Sequence, residues 1–139
     1  MKSNWQLAKE VFLQHEYTCV VRKGDMQYTS QARGVKPLMD WIAEEIDLKG
    51  FSAADKVVGK ATAFLYVLLG VKEVYAPVMS EGAVWVFREY GVTMEAGEIV
   101  SAIRNRSNTG FCPMETAVAQ CTTPGDAYEV ILKKQKELK

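Results

Sequence analysis

The chain has 139 residues, about half of them apolar and a quarter charged, which fits one globular domain and makes a second compact core unexpected. Its 17 basic and 17 acidic side chains balance, so no overall charge draws it to a nucleic acid polymer or an anionic membrane. The most apolar run, 61–71, is about half the length of a membrane span. The first residues lack the apolar core of a secretory signal.

The first half of the chain predicts a helix, a hairpin and a second helix. Residues 4–14 place apolar side chains at helical spacing. The β-branched run 17–22, a turn at 23–25 and the segment 26–30 predict an antiparallel hairpin. Pro37 suits the first turn of a helix, which the apolar spacing continues to a stop at Lys49-Gly50.

A third helix is predicted over 52–69. Ser52 and Asp55 have the spacing of a capping-box variant, and Gly70 ends the apolar pattern. Gly59 would then lie inside the helix at a cost of about 1 kcal/mol relative to alanine. Such a glycine indicates close approach by another element or by a ligand.

The second half predicts a strand at 72–78, a helix that begins at Ser80-Glu81 and ends near Gly91, and a strand at 92–95, together a parallel crossover. A helical turn is expected within 98–104 and a loop at 105–110, and further helices begin at Cys112 and Thr123. The order predicts one α/β domain over 1–139, with a mixed sheet, an N-terminal hairpin and helices on both faces.

Two motifs, the second of them in two parts, resemble those of the domain of unknown function 1893 family. They are ADKVVGKA at 54–61, Asn105-Arg106, and GFCPME at 110–115. The order of elements also resembles the cytidine deaminase-like fold. The resemblance implies a three-layer sandwich of deaminase type whose activity is unknown.

Zinc deaminases bind their metal with a His or Cys at one helix start and two Cys at the next, beside a Glu that moves protons. The matching segments are Ala54-Asp55-Lys56, with neither ligand nor glutamate, and 76–80, where Pro77 and Ser80 replace the cysteines. The single histidine, His15, lies at the end of the first predicted helix. The sequence therefore predicts no metal and no cofactor, and excludes zinc-hydroxide chemistry.

The two predicted helix starts, at Asp55 and Ser80, would lie side by side, and their free N–H groups favour an anion or a polar ligand group. Lys56 and Lys60 would share a helix face, with Glu81 within reach of Lys56. This pattern predicts a small polar or anionic, nucleotide-like ligand. Helix capping and a surface ion pair explain the same residues without a ligand.

The second motif adds a further set of candidates. The guanidinium group of Arg106 is suited to bind a carboxylate or a phosphate. Asn105 and Arg106 could equally serve to hold their loop against the rest of the domain. Cys112 at a helix start would be a reactive thiolate if exposed and is otherwise a structural cysteine. Glu115 has the spacing to close a capping box.

Three functions follow from these observations. The preferred one is small-molecule binding, and the candidate residues are Asp55, Lys56, Gly59, Lys60, Ser80, Glu81, Asn105, Arg106, Cys112 and Glu115. The second is a metal-free enzyme in which Asp55, Lys56 or Cys112 acts as acid, base or nucleophile. The third is an interaction module that forms a homo-oligomer through Tyr66 and Trp85. An odd number of cysteines favours a reducing cytoplasm.

Overall fold

A computed structural model describes residues 3–32, 34–103 and 112–137 and confirms the α/β class. The elements are α1 (Asn4–Gln14), β1 (Cys19–Lys23), β2 (Met26–Ser30), α2 (Lys36–Ala43), β3 (Ser52–Asp55), β4 (Val57–Val58), α3 (Lys60–Leu69), β5 (Glu73–Ser80), α4 (Glu81–Glu89), β6 (Thr93–Val100), α5 (Pro113–Ala117) and α6 (Pro124–Glu137). In these residues no helix is both long and apolar enough to cross a membrane.

The six strands form one mixed sheet. β1 pairs antiparallel with β2 and β3, whereas β3, β4 and β6 all pair parallel with β5. Ser52 pairs with Glu73 and Val58 with Met79, so β3 and β4 keep one register and are two parts of an interrupted strand. β6 occupies the opposite edge of β5. The spatial order is therefore β2, β1, β3 with β4, β5, β6.

Helices cover both faces of this sheet. On one face, Ala8 and Phe12 of α1 form a small core with Val20 and Ala54. Side chains that follow each other along a strand point to opposite faces, so the neighbouring Val21 and Ala53 belong to the larger core, which includes residues of α2, α3, α4 and α6. The result is the predicted arrangement of helices on both sides of a mixed sheet.

Several sequence predictions are confirmed. The hairpin and the helix Asn4–Gln14 form as expected, and α4 joins two parallel neighbouring strands. The Ser80 hydroxyl accepts a hydrogen bond from the Ala83 N–H at 3.1 Å and caps α4. Thr123 accepts one from the Asp126 N–H at 3.3 Å at the start of α6.

The helix predicted over 52–69 is wrong in its first half. Ser52–Asp55 is a strand between β1 and β5, and all four of its residues are buried. Pairing with two neighbours satisfies the backbone of this short segment, and such tertiary pairing outweighs local propensity and a chance capping-box spacing. The helix begins at Lys60, and Gly59 is its extended N-cap residue instead of an interior one.

Two further boundaries differ from the prediction. α2 ends at Ala43, well before Lys49, and Glu45 adopts a positive φ of 57° soon after it. β6 continues to Val100 because its ladder with β5 runs on to Ser80, so a helical turn at 98–100 is wrong. Short-range periodicity could not reveal the length of that ladder, since the pairing partner lies 20 residues away.

Candidate functional site

A cavity of about 850 Å3 lies at the carboxyl ends of β3 and β4. Its walls come from the start of β1, from residues 34–37 at the beginning of α2, from the first turn of α3, and from the beginning of α5. Open α/β sheets bind their ligands at the carboxyl ends of strands, and small-molecule sites have volumes of this order. The cavity is therefore the candidate site, and five of the ten predicted residues line it: Asp55, Lys56, Gly59, Cys112 and Glu115.

Asp55 is the buried acid of this cavity, with 7% of its surface exposed. The Tyr66 hydroxyl donates a hydrogen bond to its Oδ2 at 2.6 Å. The Cys19 sulfur lies 3.1 Å from the same hydroxyl, and Cys19 is the cross-strand partner of Asp55. The three side chains form a buried polar cluster between the cavity and the core.

Burial is the largest cause of the raised pKa values in this cluster. It raises the pKa of Asp55 from 3.8 to about 7, although the hydrogen bond from Tyr66 acts in the opposite direction. Burial, together with the charge of Asp55, also raises the pKa of the Cys19 thiol and of the Tyr66 hydroxyl. Asp55 is thus the member of the cluster that changes its charge near neutral pH.

Glu115 caps a helix that is not its own. Its Oε1 accepts a hydrogen bond from the Lys60 N–H at 2.8 Å and its Oε2 one from the Ala61 N–H at 2.9 Å. The predicted capping box within α5 is therefore wrong, since this helix has no side-chain cap. Gly59 permits the contact, because a Cβ atom there would overlap the Glu115 carboxyl group. The close approach predicted at Gly59 is real, and Glu115 makes it.

Lys56 and Lys60 do not share a helix face, because only Lys60 belongs to α3. Their side chains therefore have different surroundings. Lys56 lies in the break between β3 and β4, is exposed, and lines the cavity. Lys60 begins α3, and its Nζ donates a hydrogen bond to the Ala119 carbonyl at 3.0 Å. The same ammonium lies 5.8 Å and 5.6 Å from the ring centres of Phe64 and Trp85. Lys60 therefore connects the start of α3 to Ala119 and to Trp85 of α4, and it does not line the cavity.

Ser80 and Glu81 also lie outside the cavity lining. The starts of α3 and α4 are neighbours, since a Cβ on Gly82 would lie 3.1 Å from the Lys60 Cβ. Ser80 is buried as the cap of α4, whereas Glu81 is exposed. Within the described ranges no ion pair joins Glu81 to Lys56. The helix start predicted at Asp55 is wrong, and the start of α3 at Lys60 lies beside the start of α4 instead. Residues of α4 do not line the cavity.

Cys112 is half-buried, lines the cavity, and is the N-cap residue of α5. All three cysteines are free thiols. Asn105 and Arg106 lie outside the described residues. No cluster of three or more His, Cys, Asp or Glu side chains that could hold a metal is found where the chain is described.

Sequence reasoning missed Tyr66 and Cys19 as site residues. The proposed contact of Tyr66 with a second subunit is wrong for this chain as described, because its side chain is fully buried. One signal was present in the sequence: a tyrosine within the apolar run 61–69 must find a partner for its hydroxyl when it is buried. The identity of that partner depended on the strand at Asp55, which was predicted as helix.

Comparison with known proteins agrees with the motifs. The family model of a domain of unknown function (DUF1893) matches residues 7–135. The crystal structure of a DUF1893 family protein from Thermotoga maritima superimposes with a TM-score of 0.87 at 24% identity, over 96% of this chain and 92% of that one. No curated protein sequence matches the chain. The family model covers nearly the whole sequence, and the chain belongs to the DUF1893 family.

Proposed function

We propose that this domain binds a small organic molecule in the cavity at the carboxyl ends of β3 and β4. The observation that carries the proposal is the joint position of Asp55 and Lys56 in one cavity of about 850 Å3. A buried carboxyl group has an energetic cost that a purely structural position would avoid with a neutral side chain.

Three free thiols fit a reducing compartment, so the cytoplasm remains the expected location.

A tryptophan placed in the cavity wall tests the binding site. Val57 lines the cavity and is 38% exposed, so the Val57→Trp variant should reduce the cavity volume without entering the core. In a thermal-shift screen of small polar compounds, we expect the stabilisation seen with the wild-type protein to disappear in this variant. Leu68→Trp is the matched control, because Leu68 is 44% exposed on α3 and lies outside the cavity lining.

The two variants separate the possible outcomes. Compounds that stabilise wild type and Leu68→Trp but not Val57→Trp support the site. Compounds that stabilise all three proteins equally bind elsewhere and contradict it. Glu81→Ala should leave every hit unaffected, since Glu81 does not line the cavity.

We also propose that the scaffold is of the cytidine deaminase type. The support is the order of its strands: an antiparallel pair at one edge, followed by strands that run parallel to each other and are joined by helices. Superposition of an experimental structure on zinc deaminases tests this, and a different strand order would contradict it. The fold type does not by itself assign an activity.

A second candidate function is catalysis by proton transfer. It is favoured by Asp55, because an acid whose pKa is about 7 can both accept and donate a proton at neutral pH. We expect any conversion of a bound ligand, followed by NMR over time, to slow at least about 100-fold in Asp55→Asn. Conversion at the wild-type rate in that variant would remove Asp55 from the mechanism.

A further inference from the structure

The N-terminus of α3 already holds a carboxylate at the cavity. Both oxygens of Glu115 accept hydrogen bonds from the first N–H groups of this helix, at 2.8 Å from Lys60 N and 2.9 Å from Ala61 N. An anionic ligand is attracted to a helix start by these same groups. Because Glu115 has taken them, a second anion at this position would meet a like charge instead of free N–H groups.

The charged groups that line the cavity differ in depth. The acids Asp55 and Glu115 are buried and half-buried, whereas Lys36 and Lys56 are exposed. Lys36 also forms an ion pair with Asp40, with Nζ and Oδ2 2.9 Å apart. Among the described residues, a ligand therefore meets the two acids at the inner end of the cavity and the lysines at its mouth.

Asp55 is a hydrogen-bond acceptor at the cavity. The Tyr66 hydroxyl donates to its Oδ2 at 2.6 Å, and the Lys56 and Val57 N–H groups and the Cys19 thiol are weaker donors to the same carboxyl group. Apolar side chains, including Val35, Pro37 and Met114, line the same cavity. The cavity thus combines an acceptor group with apolar side chains.

We infer that the cavity takes a molecule with a nitrogen group that donates hydrogen bonds, such as an amidine or an amine, held at its inner end by Asp55. The inference rests on the proposed binding function and gives it a ligand class. A free carboxylate or phosphate is excluded from the inner end, because Asp55 and Glu115 repel it and neither has a proton donor to spare when ionised.

The groups that face Asp55 define the expected pH dependence. Among the described residues they are Cys19 from β1 and Tyr66 from α3, which belong to its buried cluster, and Lys36, Lys56, Cys112 and Glu115, which line the same cavity. Cys19 and Tyr66 stay protonated at neutral pH because burial raises their pKa. Since the pKa of Asp55 is about 7, the carboxylate form that binds a cation becomes about tenfold more abundant between pH 6 and pH 8.

Three probes of one shape test the ligand class: benzamidine, benzamide and benzoate. We expect benzamidine to bind the wild-type protein, with a Kd about tenfold lower at pH 8 than at pH 6 by isothermal titration calorimetry. We expect neutral benzamide to bind more weakly with the same trend, and benzoate not to bind. Asp55→Asn should weaken benzamidine binding at least about tenfold at pH 8. Glu81→Gln is the control for loss of one negative charge and should leave the Kd unchanged.

Each other outcome has a definite meaning. Benzoate that binds as tightly as benzamidine, and is lost in Val57→Trp, would overturn the ligand class while the binding site stands. An unchanged benzamidine Kd in Asp55→Asn would overturn the role of Asp55. If none of the three probes binds at millimolar concentration, both the ligand class and the proposed function fail.

Discussion

The Asp55→Asn variant is expected to be more stable than the wild-type protein at pH 8, by on the order of 2–4 kcal/mol in the free energy of unfolding. The reason is the buried carboxyl group, whose pKa rises from 3.8 to about 7 in the folded protein. Asparagine has nearly the same shape and can still accept the hydrogen bond from Tyr66, but it never carries the buried charge.

The direction of the pH dependence follows from proton binding. Below about pH 4 the Asp55 carboxyl is protonated in both the folded and the unfolded chain, and its full contribution to stability is present. Between about pH 4 and pH 7 only the folded chain keeps the proton, so stability falls by about 1.4 kcal/mol per pH unit. Above pH 7 both forms are ionised, and the loss levels off at on the order of 4 kcal/mol.

Urea unfolding of wild type and Asp55→Asn at pH 4.5 and pH 8 measures this difference. The two proteins should be close in stability at pH 4.5 and separate as the pH rises. Asp40→Asn is the control, because Asp40 is an exposed residue of α2 that pairs with Lys36, and its effect should remain under about 1 kcal/mol at both pH values. A constant difference between wild type and Asp55→Asn at all pH values would refute the account of Asp55.

Gly59→Ala is expected to destabilise the protein by about 2–4 kcal/mol, through loss of the helix cap and local overpacking. The new Cβ would overlap the Glu115 carboxyl and lie 2.6 Å from its Oε2. The backbone is not the cause, since Gly59 has φ of −101° and ψ of −176°, an extended conformation that alanine adopts without strain. The damage therefore comes from displacing Glu115 from the N-terminus of α3.

A double-mutant cycle isolates that cause. Glu115→Ala alone should cost about 2 kcal/mol, because it removes two charge-assisted hydrogen bonds. In this background Gly59→Ala should cost under about 1 kcal/mol, so the two changes should show a coupling of about 1–3 kcal/mol in urea unfolding. Additive effects would contradict the direct contact between the two residues.

Gly125→Ala provides the matched control for a glycine substitution. Gly125 lies in the first turn of α6, and a Cβ there would have no other atom within 4 Å. Alanine is the better helix former, so this variant should gain up to about 1 kcal/mol. A loss similar to that of Gly59→Ala would show that glycine replacement itself, and not the contact with Glu115, is the cause.

Glu115 and Asp55 contribute both to the stability of the fold and to the lining of the cavity. Glu115 joins α5 to the start of α3, and Asp55 joins β3 to α3 through Tyr66. Both acids line the cavity. A variant that removes either one should therefore be examined for stability before its effect on ligand binding is interpreted.

Local patterns in the sequence determined most of the helices and strands. Apolar spacing, the turn at Gly24 and the caps at Ser80 and Thr123 predicted the hairpin, α1, α4, α6 and the parallel crossover, because the physical signals for these elements lie within a few residues of one another. The motif at 54–61 and residues 112–115 of the second motif also indicated segments that form the cavity wall.

Tertiary structure alone decided how those segments meet. Ser52–Asp55 becomes a strand because β1 and β5 pair with both of its edges, and that pairing outweighs a local pattern typical of a helix start. Asp55 thereby reaches Tyr66, and Glu115 caps a helix that begins 55 residues before it. Contacts between residues so distant in sequence leave no periodic signal, so the partners and the burial of Asp55 and Glu115 could be recognised only once the chain had folded.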